Sequence, residues 1–144
     1  MGKSDNFLKI DIEYSMKEFK RYPNEQYFVY LLCALRNEYL YVPVQKDELI
    51  IREDDDSPIL KRNYEFCPVF VTDSKLNVSF ASFTKKERIP ESFLEKYSII
   101  RMRLKDLAID CLEKEDVYGV SINHKSDSSI TLNKQILQDI IHHL

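Results

Sequence analysis

The stretch from Asn24 to Val44, NEQYFVYLLCALRNEYLYVPV, constrains the fold more than any other. Phe28, Leu31, Leu32 and Leu35 recur at i, i+3, i+4 and i+7, which sets them on one face of a helix. Val29, Cys33 and Ala34 widen that stripe and predict burial on more than one side. Asn24 is placed to cap the helix, because its side-chain oxygen can accept from an orphan N–H of the first turn. Glu25 follows where the helix dipole favours negative charge. The helix must end near Arg36–Asn37, for Tyr39–Val44 alternates as a strand does. Pro43 lacks an N–H, so the sequence predicts an edge, a bulge or a strand end there.

The other elements are shorter. Residues 1–15 read as an N-terminal extension, and residues 16–144 as a single domain opening with a short helical segment at Met16–Tyr22. Leu49–Arg52 and Ile59–Arg62 suggest a hairpin with an acidic tip at Glu53–Asp56. That tip lacks the glycine and alternating acids of a calcium loop. Phe66–Val71 reads as a buried central strand, and Thr72–Asp73–Ser74 as helix caps leading into Lys75–Phe80. A charged connection follows, with a turn of helix at Glu91–Lys96. Ser98–Leu104 reads as a strand and Lys105–Glu113 as a helix. Val117–Asn123 and Ser129–Leu132 read as strands, and Asn133 as the cap of a final helix. Helices mixed with strands and hairpins predict an α+β (mixed α/β) domain. Its mixed sheet would have about five or six strands, with helices on at least one face.

Composition narrows function. The chain has only two glycines, Gly2 and Gly119, so no phosphate-cradling loop, dinucleotide fingerprint or nucleophile elbow can be built. A net charge of −3 gives no basic excess for nucleic acid or an anionic membrane. No apolar run approaches the ~20 residues of a membrane span, and Met1–Leu8 is too polar for a secretory leader. Cys33, Cys67 and Cys111 form no CxxC and each sits in an apolar run. They predict three buried thiols in a reducing cytoplasm.

Four segments carry a resemblance: ALRNEYLYVPV (Ala34–Val44), CPVFVTDSKL (Cys67–Leu76), RLKDLAIDCLE (Arg103–Glu113) and GVSINHKSDSSITLNKQIL (Gly119–Leu137). In order and spacing they resemble the N-terminal domain of the SseB family of bacterial proteins, named for enhanced serine sensitivity. The resemblance spans Met16 to the C-terminus and rests on packing and turn signatures. It implies the fold, and it brings no catalytic residue and no cofactor. His124 stands where the family has proline, and Phe70–Val71–Thr72 inserts a residue into the family's Phe-Thr.

No catalytic or metal set converges in the sequence. His142 and His143 are consecutive on a helix and point about 100° apart, which does not suit one ion. Asn123, His124 and Asp127 could form a loop-borne acid–base group. Asp73 sits at the other loop edge that departs from the family pattern. Tyr30, Tyr39 and Tyr41 lie off the main apolar face of the helix and strand that carry them, and tyrosine with arginine, here Arg36, is a residue mixture favoured at interfaces. The candidate binding residues are therefore Arg36, Tyr39, Tyr41, Asp73, Asn123 and His124. The leading expectation is a non-catalytic cytoplasmic interaction module with a protein partner or a second copy of itself, without nucleic acid or membrane. The alternatives are a small-molecule binder or minor enzyme of serine or sulfur metabolism, and an immunity-type protein that neutralises a toxin.

Overall fold

A computed structural model describes residues 11–35, 38–45 and 68–143. In chain order it has α1 (Ile12–Arg21), α2 (Glu25–Leu35), β1 (Tyr39–Val44), β2 (Phe70–Thr72), β3 (Val78–Ser82), a 3-10 turn (Lys86–Arg88) and α3 (Glu91–Lys96). Then follow β4 (Ser98–Arg103), α4 (Leu104–Leu112), β5 (Gly119–Ile122), β6 (Ile130–Asn133) and α5 (Lys134–His143). The class is α+β. The expected hairpin over residues 49–62, Arg36 and Cys67 lie outside the described residues.

β1 runs antiparallel to β4, from Tyr39 opposite Arg103 to Val44 opposite Ser98. The second sheet has the order β2-β3-β5-β6. Only β3 and β5 are parallel among the described pairs, and the chain between them supplies α3, β4 and α4. The two sheets meet along β1. Tyr41 exchanges both backbone hydrogen bonds with Phe83, at 2.8 and 2.9 Å, and Val69 N donates to the Pro43 carbonyl. Pro43 falls between the Tyr41–Phe83 and Val44–Pro68 bridges, where the ladder is interrupted and a missing N–H costs little.

Alternation along the strands builds a core on each face. Leu40, Val42, Phe80, Ile100, Met102, Val120 and Leu132 join Met16 of α1, Leu31 and Leu35 of α2, Leu107 and Cys111 of α4, and Leu137 and Ile140 of α5. Ala81 and Ile99, one position along from Phe80 and Ile100, point to the other face. There they pack with Phe83 and Ile89, under Tyr41, Val71 and Phe93. Gly119 is required where β5 meets β6: a Cβ built on it would collide with the backbone carbonyl of Leu132.

Several expectations need correction. The helical segment starts at Ile12 and not at Met16, with the Asp11 side chain accepting from Glu13 N and Ser15 buried. Phe66 and Cys67 of the expected central strand lie outside the described residues; among the described residues Pro68 and Val69 are buried, while β2 comes last in the order β2-β3-β5-β6 and Phe70 is exposed. Asp73 caps no helix. It closes a β-hairpin, and Val78–Ser82 is a strand held between β2 and β5. Val29 and Cys33 are exposed, so α2 is buried on one side only, through Leu31, Leu32, Ala34 and Leu35. Of the cysteines, Cys111 is buried as expected. Asn24 and Asn133 do cap α2 and α5, each accepting at 3.0 Å from a backbone N–H three residues on.

Candidate functional site

Two places concentrate chemistry. The first is a polar cluster at the C-terminal ends of the parallel strands. Asn123 follows β5, is fully buried and sits in the left-handed region at φ 57°, which asparagine tolerates better than most residues. Its Oδ1 accepts from Thr84 N at 3.0 Å, and its Nδ2 donates to Thr84 Oγ1 at 3.0 Å and to the Ser128 carbonyl at 3.2 Å. Thr84 follows β3, so Asn123 ties the two strand ends together.

Onto this frame α1 delivers a carboxylate. Glu13 accepts from Arg88 Nε at 3.0 Å and Nη2 at 2.6 Å, and from Thr84 Oγ1 at 2.7 Å. Lys85 Nζ stands 3.9 Å away. The two-pronged guanidinium contact is the strong form of a carboxylate pair. The Arg88 hydrogen bonds, helped by Thr84 and opposed by burial, hold the Glu13 carboxyl at about 2. Arg88 also reaches Ser128 Oγ, and Asp127 lies 3.8 Å from its other nitrogen.

The second place is a groove between the α1–α2 hairpin and α5. Its walls are apolar: Phe19 of α1, Phe28, Val29 and Leu32 of α2, and Ile136 of α5, with the exposed Cys33 thiol beside them. The cavity measures about 680 Å³. Among the described residues, the charged ones in its lining are Glu25 and Asp139, both acidic. Beyond Pro23 the surface continues as an aromatic run. Tyr22 stacks on Tyr27 at 5.4 Å, and Tyr27 meets Tyr30 edge-on at 5.8 Å. Tyr22 and Tyr30 are exposed.

The structure distributes the sequence candidates unevenly. Asn123 enters the polar cluster as its central strut. Asp73 organises the β2–β3 turn: its Oδ1 accepts from the backbone of Lys75 at 2.8 Å and of Asn77 at 2.9 Å. The Asn77 backbone bond foremost keeps the Asp73 carboxyl below the usual range. His124 is half-buried, and burial and then Lys125 push its imidazole down, against a pull from Asp73. Tyr39 lies under the Arg103 guanidinium at 5.2 Å, and Tyr41 covers the smaller core. β1 is paired with β4 along one side and bonded to Phe83 through Tyr41 on the other, so at Tyr41 it does not present the open edge that the sequence suggested. Nothing local in the sequence marks Glu13, Thr84, Arg88 and Ser128 as site residues. Glu13 and Arg88 lie 75 positions apart, and no local signal joins them. Among the described residues no group of three or more His, Cys, Asp or Glu is arranged to hold a metal ion. No described helix is long and apolar enough to cross a membrane.

No family model matches this chain, and neither a curated protein nor a solved structure matches it.

Proposed function

We propose that this protein is a non-catalytic binding module of the bacterial cytoplasm, SseB-like in its signatures, that seats an apolar, basic-flanked segment of another protein in the α1–α2–α5 groove. The observation that carries the reading is the pairing of apolar walls with acidic lining charges at Glu25 and Asp139. A helix or strand with two or three apolar anchors would fill the cavity, and a lysine or arginine beside them would meet the acids. The neighbouring tyrosines suit the rim, since tyrosine gives large contact area at small entropic cost. This moves the contact surface away from Arg36, Tyr39 and Tyr41. Resemblance to a family without an agreed catalytic residue supports the non-catalytic part.

A displayed-peptide selection against the whole protein tests the reading. Enriched peptides should combine apolar anchors with Lys or Arg. They should slow maleimide labelling of Cys33, read by peptide mass mapping, and should lose binding to Val29→Glu. Peptides that are acidic, or that bind Val29→Glu unchanged, would overturn the assignment.

A further inference from the structure

The Glu13 cluster is built more fully than the anchoring of one helix requires. Its donors are fixed by bonds that do not involve Glu13. Thr84 N is held by Asn123 Oδ1, Asn123 Nδ2 by the Ser128 carbonyl, and Ser128 N by Ser126 Oγ. Asn123 N donates to the Ser82 carbonyl at 2.9 Å, and Arg88 N to the Lys85 carbonyl at 3.0 Å. Arg88 Nη2 is steadied by Ser128 Oγ at 3.3 Å. Two loops thus form a standing receptor, and only its occupant comes from α1. The receptor lies beyond the carboxyl ends of β3 and β5, where α/β sheets commonly hold ligands.

Charge supports the same reading. Arg88 and Lys85 are balanced by Glu13 and Asp127. Among these described residues one positive charge is left over without Glu13, and Arg88, whose side chain is 28% exposed, loses its close partner. A partly buried guanidinium in that condition favours capture of an anion.

We propose that Arg88, Thr84, Asn123 and Lys85 form a carboxylate-binding site for a small free monocarboxylate, closed in this state by the chain's own Glu13. Arg88 Nε and Nη2 grip the two oxygens, Thr84 Oγ1 donates to one of them, and Asn123 Nδ2 stands 3.5 Å from that same oxygen. Lys85 adds attraction from the open side. Glu13 competes at the high effective concentration of an attached ligand, so the site opens to solutes only when its side chain leaves. The site is separate from the α1–α2–α5 groove and does not depend on the groove's role.

Chemical rescue tests the proposal. The Glu13→Ala protein is melted in increasing sodium formate or acetate, with sodium chloride and acetamide as controls. Formate and acetate should raise its melting temperature, rising with the logarithm of concentration above the dissociation constant. The wild type should not respond in that range, and Glu13→Ala/Arg88→Ala should not respond at all. Equal shifts with chloride or acetamide, or a formate effect that survives loss of Arg88, would overturn the site. Glu13→Gln fills the space with a neutral amide, and a formate response as large as that of Glu13→Ala would also overturn it. If Glu13→Ala is unfolded alone, formate should restore its helical circular dichroism, and failure to do so counts against the proposal.

Discussion

Replacing Glu13 by glutamine should destabilise the protein by an amount that depends on pH in a calculable way. The Glu13 carboxyl is held at about 2 in the folded chain against 4.5 for a free side chain. Its charged form is therefore favoured in the native state, and the stabilisation is fully present above the unfolded value and lost as pH falls toward the folded one. At 1.36 kcal/mol per pKa unit the contribution is about 3 kcal/mol at pH 7 and about 1 kcal/mol at pH 3. Solvent screening takes little from this, because the Glu13 side chain is only 13% exposed. Glutamine cannot ionise, so any penalty from its amide facing Arg88 is the same at every pH. The quantity to read is the change in the wild-type-minus-variant gap between pH 7 and pH 3, about 2 kcal/mol. Urea denaturation followed by circular dichroism at pH 7, 5, 4 and 3 measures it directly. A gap that is constant across that range, or that widens toward acid, would refute the inference that the Arg88 hydrogen bonds hold Glu13 ionised.

Gly119→Ala should cost about 3 kcal/mol or more, or abolish folding, because the new methyl group meets the Leu132 backbone and β5 and β6 must part to admit it. A thermal melt within a degree or two of the wild type would show the contact to be slack. Leu76→Gly should instead stabilise by about 0.5 kcal/mol, since Leu76 is 80% exposed at φ 66° and glycine removes the left-handed penalty at a smaller entropic cost. Denaturant midpoints would decide the sign.

What could be read from the sequence was local. Asn24 and Asn133 cap their helices, because a cap is an interaction between a side chain and a backbone three residues away. Asp73 uses the same chemistry, and that is how it misled. An aspartate accepting from nearby N–H groups opens a helix or closes a hairpin with equal ease. The choice at Asp73 is made by Val78–Ser82 pairing with Gly119–Ile122, about forty positions downstream. Val29 and Cys33 misled for a related reason: apolar character places a residue on a face, while tertiary packing decides whether that face is covered. The Glu13–Arg88 pair had no periodic or motif signal. With 24 acids and 21 basic residues in the chain, pairings on paper are too many to mean anything.

The span of the Glu13–Asn123 contact, 110 residues, has a consequence for synthesis. At the roughly 5–20 residues per second of translation, α1 waits on the order of 5–20 s before the strand end that completes its cradle is even made. During that interval Glu13 stays hydrated and α1 lacks its final seat. β5 is equally late, and it is the strand on which both β3 and β6 pair. The amino-terminal helices therefore leave the ribosome before the strands and loops that complete their packing surface exist.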